Sequence, residues 1–294
     1  PEAMTALNAY SAGVNAWLAE NKDDIGLSQR ILGLVGEPWA IEPWEPAHSI
    51  GWGVVMGWDL GGNWQDELQR ARLYQLLGQE ATDELLPGYP YDTRPVIAPT
   101  SQIGAAAPGA SGSAAAAPGI DWARVSTTLI GQPPAALGSG PLLGSNNWVV
   151  SGDHTASGLP LLANDPHLGI QMPSIWYEVG LHAPGWDVRG FSFAGIPGVI
   201  IGHNNRIAWG VTNVGPDVQD LYIEKINPDN PNQYEYMGEW QDMKLIEEVI
   251  KVNGGEDVVL QVRETIHGPI ISDVLEDQPD VLAMRWTANA GPSR

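Results

Sequence analysis

The chain reads as an α+β protein on three observations. Apolar residues recur at helical spacing from Pro1 to about Leu86, the spacing switches to that of strands after Ser145, and all the helical segments precede the strands instead of alternating with them.

The first helical segment is MTALNAYSAGVNAWLAE, and the last is NWQDELQRARLYQLLG. The latter is well punctuated: Asn63 is placed to N-cap, Asp66 and Glu67 sit in the first turn where the helix dipole favours anions, and Gly78 stands where a helix would stop. Between them, EPWEPAHSIGWGVVMGWDL is Trp-rich and mostly apolar, which suits a buried helix and a pocket wall alike. Residues 87–144 then change character, with SQIGAAAPGASGSAAAAPGI at their centre. Ala, Gly, Pro and Ser at this density bury too little apolar surface to offset their ordering entropy, so the segment reads as a flexible spacer. A linker this long inside a domain asks for a functional reason.

Strand-like runs follow: NNWVVS, PLLAN, IWYEVGLH, WDVRGFSF, GVIIG, RIAWGVT, QDLYIEKI, KLIEEVIKV, DVVLQVRE, PIIS and VLAMRWT. The turns between them, among them SG, GW, NN, NPDNPN and NGGED, are short, as in antiparallel sheets. Three segments are therefore expected: a helical part at 1–86, the spacer at 87–144, and a β-rich part at 145–294.

Composition narrows the function classes. The 294 residues carry 14 Lys plus Arg against 35 Asp plus Glu, a formal charge of −21, which repels nucleic-acid phosphates and anionic membranes. The excess carboxylate serves solubility and could equally supply oxygen ligands for Ca²⁺. Having no cysteine, the chain has no disulfide, thiolate nucleophile or Cys-ligated zinc. No apolar run approaches the ~20 residues that span a bilayer. PEAMTALNAY has no leader character, GPSR no tail signal, and both ends are expected to be cuts within a longer protein.

The junction of spacer and first strand, GSNNWVVSG, places Ser145 directly after Gly144. A serine needs a base within reach to act as nucleophile. Six histidines are present, at 48, 154, 167, 182, 203 and 267, but Ser145 does not lie in a G-x-S-x-G elbow. A serine's own α-amine, with an unperturbed pKa of about 7.7 to 8.0, is the other candidate base, and it becomes available only if the preceding peptide bond is cut. Glycine at 144 tolerates the backbone geometry that such a cut requires.

The run GSNNWVVSGDHTASGLPLLANDPHLGIQMPSIWYEV resembles the start of the catalytic β-subunit of the penicillin acylase (penicillin amidase) family of N-terminal-nucleophile hydrolases. GFSFAGIPGVIIGHNNRIAWGVTNVGPDVQDLYIEK, ETIHGPIIS and LAMRWTA follow in family order, while AYSAGVNAWL, EPWEP and GWDLGGNWQDELQRARL resemble the end of the α-subunit. The resemblance implies an αββα sandwich, an α/β heterodimer cut from one precursor with residues 87–144 as spacer, and hydrolysis of a small-molecule N-acyl amide without an organic cofactor. It favours a periplasmic or extracellular location.

By family position, Ser145 freed by cleavage after Gly144 supplies hydroxyl and amine together, and His167 in NDPHL stands beside it. Asn213 in WGVTN matches the residue whose backbone N–H forms half of the oxyanion hole, and Val211 a neighbouring substrate-side position. The second oxyanion donor, an Asn side chain, would lie beyond Arg294. Met56, Trp58 and Leu60, with Leu168, match walls of an acyl pocket that favours an apolar acyl group. Asp217, Gln219 through its carbonyl, and Asp220 resemble a structural calcium loop, to which Glu67 contributes from the α-subunit. His267, in IHGP, is family-like without an assigned role. Two rivals remain on the residues themselves: a non-catalytic β-rich binding domain that keeps the motifs as structure, and a conventional serine hydrolase with a His–Asp pair.

Overall fold

A computed structural model describes residues 2–22, 26–27, 30–31, 34, 41–88, 144–169, 172–213, 215, 217–252, 254–274 and 281–289. They fall into two units, the first drawn from residues 1–62, 132–217 and 248–260, the second from 63–131, 218–247 and 261–294. The spacer expected at 87–144 lies outside the described residues over 89–143.

The first unit begins with helix α1 (Glu2–Asn21) and helix α2 (Pro46–Gly61). Pro46 starts α2 with its φ already helical, and His48 Nδ1 accepts the Glu45 N–H at 3.0 Å, satisfying a donor at the helix entry. The Trp-rich segment is thus a helix, and spacing decides its buried face. Trp52, Met56 and Leu60, one turn apart, pack on Ile175 and Phe193 together with Leu168, Trp176, Ile196 and Ile200. α1 is joined to the entry of α2 by a two-way amide contact: Asn15 Nδ2 donates to the Trp44 carbonyl at 2.9 Å and Asn15 Oδ1 accepts the Trp44 N–H at 2.7 Å.

Strands β1 (Gly144–Val150) and β2 (Leu161–His167) form an antiparallel pair in this unit. β3 (Trp176–Ala183), β4 (Trp186–Phe193), β5 (Ile201–Asn204) and β6 (Ala208–Trp209) form a four-stranded antiparallel meander in chain order. The core where this meander meets α2 includes Trp176 and Phe193, whose ring centroids are 4.0 Å apart.

The second unit starts with helix α3 (Trp64–Leu85), which buries Trp64, Leu68 and Ala71 on one face. Two expectations for this helix are corrected. Gly78, at φ 78 and ψ 172, interrupts the helix as expected, but the chain resumes helical geometry and ends at Leu85. Asn63 occupies the N-cap position without a side-chain cap bond. Its Oδ1 turns instead to the N–H groups of Val218 and Gln219 at 3.1 and 3.0 Å, while Gln219 Oε1 accepts the N–H groups of Asn63 and Trp64 at 3.0 and 3.3 Å. The helix is capped by a strand residue distant in sequence, because a reciprocal exchange satisfies four backbone donors where a local cap would satisfy one or two.

That strand is β7 (Gln219–Glu224), paired antiparallel with β14 (Val281–Trp286), where Leu282 and Ala283 are fully buried. β8 (Ile226–Asn227), β9 (Asn230–Tyr236) and β10 (Glu239–Asp242) form a three-stranded sheet. The strand pattern in the sequence does not reveal β9 and β10. They are joined through Met237 at φ 54 and Gly238 at φ 83, a two-residue turn with both residues left-handed, and methionine in such a turn is no turn signal. β11 (Lys244–Ile250), β12 (Val258–Thr265) and β13 (Gly268–Pro269) form another sheet, and the expected PIIS strand divides, Pro269 ending β13, Ile270 bridging to Ala283, and Ile271 and Ser272 opening a 3-10 turn, Ile271–Val274. Tyr234, Met243, Ile270 and Ala283 make the core of this unit. Arg263 donates from Nε to Asp273 at 2.7 Å and from Nη1 to the Pro231 carbonyl at 2.5 Å, and the bond to Asp273 raises the guanidinium pKa further.

Candidate active site

The site grows from the register of β1 on β2. Ser145 stands opposite Pro166, and Gly144 opposite His167. Proline has no N–H to offer across that pair. The Ser145 carbonyl accepts instead from the Thr212 hydroxyl at 3.0 Å, a residue of the segment that follows β6.

His167 is half-buried and held at both ring nitrogens. Asn146 Nδ2 lies 3.1 Å from Nε2, and the Asp165 carboxylate lies 3.2 Å from Nδ1. With the amide N–H donating to Nε2, the neutral ring carries its proton on Nδ1, toward Asp165. The ring lies over Gly144, since a Cβ built there would sit 4.0 Å from His167 Cδ2. The residues on both sides of the expected scissile bond and the expected histidine are therefore together on one two-stranded ribbon.

The segment 210–213 lies past the end of β6 and is anchored by side chains. The Asn164 amide grips Val211 at two points, Oδ1 accepting the Val211 N–H at 3.1 Å and Nδ2 donating to the Val211 carbonyl at 2.9 Å. The same Nδ2 donates to the Asn146 carbonyl at 2.9 Å. Gly210 makes this approach possible, because a Cβ there would fall 2.9 Å from Asn147 Oδ1 and from Cβ and Cγ of Asn164. Asn213 spends its side chain elsewhere: Nδ2 donates to the Leu60 carbonyl at the end of α2, and Oδ1 accepts the Gly215 N–H at 3.1 Å.

Met56, Leu60 and Leu168 share one apolar cluster, with Leu168 next in sequence to His167. Trp58 lies off the stripe formed by Trp52, Met56 and Leu60 and is not part of that cluster. Asp59, between Trp58 and Leu60, has its carboxyl pushed up by burial.

The expected metal ligands are placed as follows. Asp217 belongs to the first unit; Glu67, Gln219 and Asp220 belong to the second. Glu67 Oε2 accepts the Leu221 N–H at 2.9 Å, and the Gln219 carbonyl accepts from Asn63 Nδ2 at 3.3 Å. Gln219 Nε2 is buried with no partner among the described residues, and it is a donor, which a cation does not satisfy. Among the described residues no three acidic or imidazole side chains converge on a metal position. The donor types suit calcium; their arrangement is not a preformed cluster.

His267 lines a cavity of about 650 Å³ in the second unit. Its Nδ1 pairs with the buried Glu224 carboxylate at 2.8 Å, which also accepts from the Thr265 hydroxyl at 2.6 Å, and its ring stacks on Tyr222 with centroids 4.1 Å apart.

Sequence reasoning missed Asn146, Asn164, Thr212 and Gly210. One signal was available: asparagine is depleted in strands, yet Asn146, Asn147 and Asn164 interrupt two runs that otherwise read as Val, Leu and Trp.

The family model described as penicillin amidase matches residues 1–294. An acyl-homoserine lactone acylase QuiP of Pseudomonas aeruginosa is 30% identical over 288 residues, covering 96% of this chain and 32% of that one. A penicillin acylase 2 proenzyme of Pseudomonas sp. (strain SE83) is 32% identical over 277 residues, covering 94% and 34%. A solved structure, thermostable penicillin G acylase from Alcaligenes faecalis, is 33% identical with a TM-score of 0.45, covering 49% of this chain and 26% of that one. The chain thus spans about a third of the length of the curated relatives it matches. No helix among the described residues is long and apolar enough to cross a membrane. With the family model matched from the first residue to the last, the chain belongs to the penicillin amidase family.

Proposed function

We propose that the protein hydrolyses N-acyl amides through Ser145, exposed as an N-terminus by cleavage after Gly144, on the αββα framework of N-terminal-nucleophile hydrolases. The observation that carries the reading is the ribbon at the junction. Gly144 and Ser145 lie in a paired strand with His167 across from them, and Thr212 holds the Ser145 carbonyl at 3.0 Å.

In maturation, the Ser145 hydroxyl attacks the Gly144 carbonyl, an ester to Oγ replaces the peptide bond, the released amine takes up the proton, and water hydrolyses the ester. In turnover, the freed α-amine accepts the Oγ proton as Oγ attacks the substrate carbonyl, and then delivers it to the departing amine. Negative charge on the carbonyl oxygen is met by the backbone N–H of Asn213, a fixed donor that needs little reorganisation. His167, oriented by Asp165 and Asn146, contributes a positioned ring beside these groups. The acyl-enzyme is hydrolysed by a water that the α-amine deprotonates.

Met56, Leu60 and Leu168 favour an apolar acyl group. The relatives are named for acyl-homoserine lactones and penicillins, which are N-acyl compounds. Intact mass and N-terminal sequencing of the full-length protein test the reading. A subunit beginning Ser-Asn-Asn-Trp and a sulfonyl fluoride adduct on Ser145 are expected; a chain that stays whole and takes no adduct overturns it.

Structural calcium at the second unit's Glu67, Gln219 and Asp220 belongs to the same proposal, supported by hard-oxygen donor chemistry. Removing it by chelation is expected to lower Tm reversibly. The loss is about 2.7 kcal/mol where calcium had been at a hundredfold excess over its Kd. An unchanged melting curve removes calcium from the reading.

A further inference from the structure

Building on the reading of Ser145 as nucleophile, we propose that Asn164 is the positioning residue that fixes residues 210–213 beside it, setting where the Asn213 N–H meets the developing oxyanion. Strand pairing does not do this, because β6 ends at Trp209 and the next four residues pair with no strand among the described residues. Two side-chain anchors between the segment and the Ser145 ribbon take its place. Thr212 fastens the segment to the Ser145 carbonyl, and Asn164, across from Asn147 in the ladder, fastens it to β2.

Both ends of the amide are used. Its oxygen accepts one N–H and its two N–H groups go to two carbonyls, so all three bonds bridge main chain to main chain, from Val211 to Asn146. Asn146 is the residue after Ser145 and also the partner of His167 Nε2. One side chain thereby links the nucleophile's strand, the histidine's partner and the segment carrying the oxyanion donor. Gly210 excludes a side chain at the point where this amide passes, which keeps the segment in contact.

The arrangement separates position from stability. Val211 is 45% exposed, so water can satisfy its main chain when the amide is removed, and the fold loses little. The distance from the oxyanion donor to the reacting carbonyl loses its reference, and catalysis is steep in that distance.

Asn164→Ala and Asn164→Asp in the full-length protein test this beside the wild type. Asn164→Asp preserves shape and the acceptor for the Val211 N–H but turns a carboxylate oxygen toward two carbonyl oxygens. In both variants kcat on an N-acyl nitroanilide is expected to fall by about 10- to 100-fold, with KM within about twofold. Tm should move by no more than about 3 °C. A variant that melts like the wild type yet stays uncleaved also counts for the proposal, since maturation passes through the same kind of oxyanion. If both variants mature and keep kcat within twofold while the wild type is cleaved and active, the proposal falls and the reading of Ser145 stands. A large loss of Tm with unchanged kcat per folded molecule also overturns it, by showing a purely structural role. A wild type that stays whole and takes no sulfonyl adduct removes the reading of Ser145, and this proposal with it.

Discussion

Ser145→Ala is expected to leave the precursor whole and to lower turnover by at least about 10⁴-fold, because one substitution removes both the nucleophile and the trigger that exposes the base. The double loss distinguishes this mechanism from a conventional His–Asp serine hydrolase. In that rival Ser145 stays internal, the wild type is never cut, and replacing a histidine abolishes activity. The fold should be untouched. It is the Ser145 carbonyl that holds Thr212, and alanine keeps that carbonyl. Mass spectrometry reads the cleavage, a chromogenic amide reads the turnover, and Tm should change by less than about 0.5 kcal/mol equivalent. A Ser145→Ala protein that is still cut after Gly144 would sink the mechanism.

Gly210→Ala carries the second-largest expected effect. The new Cβ would stand 2.9 Å from Cβ and Cγ of Asn164 and from Asn147 Oδ1, inside any ordinary contact. Asn164 Cβ lies next to its own backbone and cannot swing aside, so the segment 210–213 must move away from β1 and β2. Overpacking of this kind costs about 1 to 3 kcal/mol, and a displacement near 1 Å at the oxyanion donor costs on the order of 10²-fold in rate. Thermal melting and kcat measured on the same preparation separate the two losses. A Gly210→Ala protein with wild-type kcat would show that this segment does not position the chemistry.

Much of the fold is legible in the residues. The helical character of the segments before Leu86 and most strands follow from periodicity, since each is decided by neighbours within a turn or a hairpin, whereas Trp52 in place of Trp58 beside Met56 and Leu60 is settled by packing. The failures share a cause. Asn63 looks like a local cap but trades its side chain with Gln219, at a sequence separation of 156. The β9–β10 hairpin turns on Met237, a residue whose left-handed conformation is imposed by the strands on either side.

The candidate site divides in the same way. Gly144, Ser145 and His167 stand out in the sequence because they lie in contiguous family-like motifs, GSNNWVVSG and NDPHL. Asn164 stands out only as an asparagine in an apolar run, and Thr212 does not stand out. Each works through a contact across 47 and 67 residues, and asparagine or threonine in a strand announces nothing about where its hydrogen bonds go.

The sequence by itself determined the order of helices before strands, a formal charge of −21 that disfavours polyanion partners, the Gly144–Ser145 junction and the family. Those are properties of composition, local periodicity and contiguous motifs. Only the tertiary structure decided which side chains hold residues 210–213 against β1 and β2. That depends on register, on a proline that brings no N–H opposite Ser145, and on a glycine that leaves room for an amide, and such long-range geometry exists only once the ribbon and the segment after β6 have met.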